Sequence, residues 1–163
     1  MNIFVLHESP RIAAQMACDR HVVKMIVESA QMMATIHHGA GSVVRYKPTH
    51  PHHPCTLWAG SSAHNYAWLL AHAKALCGEY TYRYGRVHKT EQYIYGELHA
   101  LPPNINKVLG QTPFAQTMPD ECKDPNPVIA YRNFYLKHKA AFATWKQRDV
   151  PLWFQYARPE LTL

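Results

Sequence analysis

An all-α fold follows from three observations on this 163-residue chain. Apolar residues recur three and four apart over long runs. No run alternates apolar and polar residues convincingly enough to read as a half-buried strand, although Val43-Val44-Arg45-Tyr46 leaves room for a short extended piece. Capping residues and prolines bracket the runs at helical lengths. The expected architecture is a single helical domain over residues 1–163, with about four helices and a long Pro-rich loop over 102–127.

The elements follow in order. Ser9-Pro10 starts the first helix, with an N-cap hydroxyl followed by Pro at the first helical position, where its missing N–H costs nothing. That helix is expected to run to about His37, ended by Gly39 and Gly41, with Ile12, Met16, Val23, Ile26, Val27, Ala30 and Met33 as its apolar stripe. Asp19 falls inside this stripe. A core-facing carboxylate needs a partner, either a cation from another helix, with Arg83 and the histidines near position 50 as candidates, or a polar cleft. His21, Lys24 and Glu28 fall on the opposite face and are expected to be more exposed.

Residues 39 to 60 read as irregular, stiffened by Pro48, Pro51 and Pro54. Ser61 or Ser62 then caps a second long helix ending near Tyr84-Gly85. A short third helix runs from Thr90 to about Leu101 and stops at Pro102-Pro103. The segment 102–127 is longer than compact domains usually keep without structure, and is expected to be a lid or binding loop. Pro127 opens a last helix to about Trp145, whose face of Tyr131, Phe134, Tyr135, His138, Phe142 and Trp145 reads as core. The aromatic tail Pro151-Leu152-Trp153-Phe154-Gln155-Tyr156 is expected to pack back on the body.

The net charge is +6 at pH 7, with twelve His, ten Tyr, four Trp and five Phe. Cationic and flat aromatic groups together suit DNA, most simply duplex, as the partner. The four cysteines stand apart, with no CxxC pair, and read as small buried hydrophobes in a reducing compartment. The apolar start Ile3-Phe4-Val5-Leu6 is too short for a signal peptide, and no window approaches the ~18 apolar residues of a membrane span. A soluble, cytoplasmic protein is expected.

The helix from Ser62 carries the chain's densest set of reactive groups. At about 100° per residue, Asn65, Trp68, His72, Glu79 and Arg83 fall within a roughly 60° wedge. Trp68 can hold an extruded base by stacking, and Arg83 can bind phosphate. The plainer alternative makes Trp68 and His72 ordinary packing residues and Glu79 with Arg83 an i,i+4 pair. A cleft between the first two long helices would gather Arg20, Lys24, His50, Arg83, Arg86 and Lys89 for phosphates. Asp19, His21, His53 and Glu79 would supply proton transfer, or stabilise positive charge on a sugar whose glycosidic bond is breaking.

Other chemistries find little support. There is no GxSxG, no HExxH, no PCxxC and no phosphate-cradling glycine loop opening a helix. A metal-dependent hydrolase using His50, His53 and Glu79 stays open as an alternative, but the main reading requires neither metal nor cofactor.

Several blocks carry resemblances. Asp19-Arg20-His21-Val22-Val23-Lys24-Met25, Tyr46 to His50, His53-Pro54, Glu79 to Gly85 and Met118-Pro119-Asp120-Glu121 resemble a family of small tailed-phage proteins to which no activity attaches. The order of Asp19-Arg20-His21, His53-Pro54-Cys55-Thr56-Leu57-Trp58 and Asn65-Tyr66 through Tyr82-Arg83-Tyr84-Gly85 is similar to the pyrimidine-dimer DNA glycosylase family. That resemblance implies an all-α domain whose N-terminal amine attacks the sugar C1′, assisted by a motif Glu. Arg20 corresponds to a DNA contact and His53 to the site turn. Here Met1 precedes Asn2, a residue too large for efficient Met removal, and the motif Glu position falls on His21.

The expected function is a divergent enzyme of that kind, acting on damaged or modified pyrimidine bases. The alternatives are a non-catalytic module binding nucleic acid or a host protein, and the metal-dependent hydrolase.

Overall fold

One buried guanidinium organises the centre of the molecule. Arg83 donates from Nη1 to Ala17 O at 2.8 Å and from Nη2 to Gln15 O at 3.0 Å, and it binds the carboxylates of Asp19 and Glu79, each at 3.0 Å. Those carbonyls belong to a chain break that the periodicity does not reveal. The computed structural model describes residues 1–157, and in it the expected helix from Pro10 to His37 is two helices. These are α1 (Pro10–Met16) and α2 (Asp19–Gly39), with Ala17 and Cys18 extended between them.

The break is held by tertiary bonds that replace helical ones. Cys18 N–H donates to the Tyr135 hydroxyl at 3.3 Å, and Asp19 N–H donates to Thr144 O at 2.8 Å. Two extended residues also reset the phase of the helix that follows. Val22, Met25, Ile26 and Met33 are buried, whereas Val23 of the expected stripe is 38% exposed. His21 and Glu28, expected on the open face, are buried, and only Lys24 of that trio is exposed.

α4 (Ala63–Tyr84) packs along both α1 and α2. Ser62 caps it, accepting from Asn65 N–H at 3.1 Å, and Gly85 ends it at φ 69°, the left-handed conformation that glycine adopts without penalty. The stretch expected to be irregular contains α3 (Pro54–Gly60), capped by His53, whose Nδ1 accepts Cys55 N–H at 3.1 Å. The third expected helix is one turn and a half, α5 (Glu91–Tyr95).

Of the expected loop 102–127, residues 102–126 are irregular apart from a 3₁₀ turn (Asp120–Cys122), and Pro127 opens the next helix. Side chains pin this loop to the body. Asn65 Nδ2 donates to Thr112 Oγ1 at 2.7 Å and its Oδ1 accepts Thr112 N–H at 3.0 Å, while Trp58 Nε1 donates to Thr112 O at 3.2 Å. The last long helix stops early: α6 (Pro127–Phe134) passes into a π-helical turn (Tyr135–Lys139) and the chain then reverses. α7 (Leu152–Ala157) closes the described chain, seated by Phe154 against Trp145 at 4.9 Å between ring centres.

The architecture is therefore all-α, with seven helices where about four were expected and no strand among the described residues. Of the aromatic face, Tyr131, Tyr135 and Trp145 are core, Phe134 and Phe142 pack at its edge, and His138 is exposed. All four cysteines are free and buried. No described helix is long and apolar enough to cross a membrane.

Candidate functional site

The first six residues run into the protein interior. Ile3, Val5 and Leu6 are fully buried, and Asn2 directs the path: its Oδ1 accepts the N–H of Ile3 at 2.8 Å and of Phe4 at 3.3 Å, while its Nδ2 donates to Thr117 O at 2.8 Å. This turn holds Phe4 at φ 45°, a conformation costing a non-glycine residue about 1–2 kcal/mol. It delivers the start of the chain to Glu28. The Met1 amine lies 3.7 Å from Glu28 Oε2, and the Asn2 backbone N–H donates to the same oxygen at 3.0 Å. Lys24, one turn earlier on α2, stands 3.5 Å from Oε1.

These groups line a cavity of about 380 Å³, large enough for a nucleoside-sized ligand. His21 and Glu28 are seven residues apart, two helical turns, and so share the face of α2 that forms one wall. His53 enters from the cap of α3, and Thr117, Phe134 and Lys139 close the other side.

The electrostatics are unusual for so small a space. Burial, reinforced by Lys139, Lys24 and Arg20, holds the His21 imidazole down to about 3, so it is neutral at physiological pH. Burial also lowers His53; the N-terminal ammonium and His50 add to that, against Glu28 and a hydrogen bond to the Met1 backbone. Because His53 Nδ1 accepts from Cys55, its hydrogen sits on Nε2. Burial and Lys24 lower Lys139, whose ammonium lies 4.6 Å over the Phe134 ring with no carboxylate partner among the described residues. An amine, a carboxylate and two neutral imidazoles thus meet in one pocket with two lysines at its mouth.

The family model described as pyrimidine dimer DNA glycosylase matches residues 1–94. The chain belongs to that family. No curated protein and no solved structure matches it. At the level of the family, the protein is a DNA-acting, pyrimidine-dimer-glycosylase-like protein. The matched residues include Met1, His21, Glu28 and His53, whereas Thr117, Phe134 and Lys139 lie beyond them.

The structure gathers some of the expected residues and separates others. His21 and His53 line the pocket; Lys24 stands at its mouth, and Arg20 is exposed on the same helix, stacked 4.1 Å over Phe142. His50 is exposed, with Nδ1 bound to Thr49 Oγ1 at 2.6 Å. Arg86 and Lys89 are exposed beyond α4, and Lys89 lines a different groove of about 470 Å³.

The wedge on α4 is a packing seam and not the wall of a cleft. Trp68, 6% exposed, donates from Nε1 to Glu8 O at 2.8 Å, and the His72 Nδ1 atom is bonded to Pro10 O at 2.9 Å. Trp68 thus presents no open face for a base. Arg83 uses four of its five N–H groups inside the protein, which leaves it no fork for phosphate. Glu79 is held by Arg83 and by Arg148 at 2.6 Å. Asp19 meets Arg83, one of its expected partners, and also takes the Thr144 hydroxyl at 2.8 Å and Lys146 N–H at 2.9 Å. These saturated groups serve as tethers in this structure.

The metal alternative lacks its constellation: His50 and His53 precede α3 while Glu79 is bound at the far end of α4. Among the described residues the only metal-ligand grouping is Glu121, Cys122 and His138.

The site residue that sequence reasoning missed is Glu28. The family's motif Glu position falls on His21 in the sequence, and the carboxylate that reaches the N-terminus is Glu28. The available signal was the seven-residue spacing from His21, obscured by reading both residues as solvent-facing.

Proposed function

We propose that this protein is a DNA glycosylase for damaged or modified pyrimidines, with its chemistry at the pocket around Glu28. The observation that carries the reading is the pairing of the N-terminal amine with Glu28 at 3.7 Å inside a cavity walled by His21 and His53. An ammonium cannot attack a sugar until it loses a proton, and a buried carboxylate at that distance is placed to take it. The freed amine forms a bond to C1′ as the glycosidic C1′–N bond breaks. The base leaves with the electron pair and takes up a proton, and the sugar ring opens to an iminium. If Met1 is cleaved in the cell, the Asn2 nitrogen already lies 3.0 Å from the same carboxylate, so either amine meets Glu28.

Lys24, Lys139 and Arg20 supply the phosphate-facing charge, so affinity for duplex DNA is expected to fall as salt rises. Intact-mass analysis identifies which residue carries the free amine. Incubation with duplexes containing cyclobutane dimers, uracil or hydroxymethylated pyrimidines, followed by borohydride reduction, is expected to release base and leave DNA attached to the first tryptic peptide. Glu28→Gln is expected to slow release by at least about 10²-fold while retaining DNA binding. Salt-sensitive binding with no product on any substrate would refute catalysis and favour a non-catalytic nucleic-acid-binding module.

A further inference from the structure

Part of the site comes from outside the matched residues. Tyr135 opens the π-helical turn after α6 and is fully buried. Such turns shift a helix by one residue and recur at functional positions. The Tyr135 hydroxyl lies 2.6 Å from His21 Nδ1, accepts the Cys18 N–H at 3.3 Å and stands 3.7 Å from Cys18 Sγ.

The phenolic hydrogen therefore has two acceptors to choose from. An imidazole nitrogen at 2.6 Å wins over a thiol sulfur at 3.7 Å, because sulfur is the weaker acceptor and the contact is long. Burial keeps the phenol protonated, and burial with Lys139, Lys24 and Arg20 keeps the imidazole uncharged. One hydrogen lies between the two groups, and the phenol donates it. The imidazole's own hydrogen then sits on Nε2.

The ring is fixed as well as its tautomer. Phe4 stacks on it at 4.0 Å and Phe142 meets it edge-on at 5.8 Å. Nε2 has no protein partner among the described residues, is not among the sealed polar atoms, and belongs to a ring lining the pocket. The charged and titratable groups around it are Arg20, Lys24 and Glu28 on α2, Lys139 and Tyr135 on the π turn, Cys18 at the helix break, and the Met1 amine and His53 across the pocket.

We propose that Tyr135 is a positioning residue of this site: its hydroxyl holds His21 as the Nε2–H tautomer, a stationary neutral hydrogen-bond donor for an oxygen of the bound nucleotide. This deepens the glycosylase reading and rests on it for the identity of the ligand. Thr117, Phe134 and Lys139 complete the pocket from the same unmatched part of the chain.

The test is ¹⁵N–¹H correlation NMR of the histidine rings in the full chain between pH 5 and 8. His21 is expected to show a protonated Nε2 and an acceptor Nδ1 throughout; an Nδ1–H tautomer, or titration near the ordinary value, overturns the proposal. Addition of a duplex bearing a tetrahydrofuran abasic analogue is expected to move the Nε2–H resonance, and an unmoved resonance at saturating duplex overturns the donor role. Tyr135→Phe, which keeps the ring, is expected to populate both tautomers and to lower kcat at least about tenfold with KM within about twofold. Unchanged tautomer and kcat in that variant overturn the positioning role. If the variant does not fold, the wild-type spectra decide. If the wild type releases no base while its tautomer and duplex-induced shift are as expected, the glycosylase reading falls and the positioned donor stands.

Discussion

Arg83→Met separates a structural role for the α4 wedge from a DNA-binding one. The side chain is fully buried, and its partners are Asp19 and Glu79, 17% and 6% exposed, together with two carbonyls at the α1–α2 break. Removing one member of a buried ion pair typically costs about 3–5 kcal/mol. Here Glu79 keeps Arg148, and Asp19 keeps Thr144 and the Lys146 N–H, so neither carboxylate is stranded. The Ala17 and Gln15 carbonyls lose their Arg83 donors. The lower end of the range therefore applies, about 3 kcal/mol, or roughly 6–12 °C in Tm for a domain of this size. Urea denaturation with thermal melting reads the loss. DNA binding titrated against salt supplies the contrast, because loss of a phosphate contact lowers the salt slope by about one. The structural assignment is refuted by a variant as stable as wild type whose salt slope has dropped.

Two further outcomes follow from buried groups and one turn. Burial holds His21 to about 3 and His72 to about 4, so between about pH 6.5 and 4 the unfolded chain binds more protons than the folded one. Their contribution is complete above pH 6.5 and is lost as pH falls. Each adds a slope of up to about 1.4 kcal/mol per pH unit in that window, and His72→Gln is expected to flatten a stability curve measured by urea denaturation. Gly85→Ala places a side chain at φ 69° where no atom lies within 4 Å of the new Cβ, so strain without clash is expected, about 1 kcal/mol by the same assay.

Capping chemistry was the most legible part of this sequence. Ser9-Pro10, Ser62, Tyr84-Gly85 and Pro127 all mark real ends, because a cap is decided by residues adjacent in sequence. The break at Ala17-Cys18 was not legible. Its bonds go to Arg83, Tyr135 and Thr144, each more than sixty residues away, and no local pattern records them. Missing it misplaced the phase of α2 and turned His21 and Glu28 outward.

The same limit governed the wedge on α4. Asn65, Trp68, His72, Glu79 and Arg83 meet protein groups: Trp58 O and Thr112 for Asn65, the Glu8 and Pro10 carbonyls for Trp68 and His72, Arg148 for Glu79, and the Gln15 and Ala17 carbonyls with the Asp19 carboxylate for Arg83. Polar groups gathered on one helical face mark a demand for hydrogen bonds, and the sequence does not say whether protein or ligand meets it. Glu28 and the N-terminal amine meet only through the turn at Asn2 and Phe4, a three-dimensional coincidence of distant residues.

The buried start of the chain bears on how the protein is assembled. Asn2 is tied to Thr117 and the Leu6 carbonyl to Arg132, so residues 2–6 find these anchors only once the chain as far as residue 132 has been made. A fragment ending at residue 94 would contain every matched position and still leave Phe4 without the rings of Tyr131, Phe134 and Tyr135 that it packs against. Such a fragment is expected to aggregate, and a fusion partner joined ahead of Met1 would have to leave through the cavity at Glu28. For expression, the practical consequence is a full-length chain with any affinity handle placed at its other end.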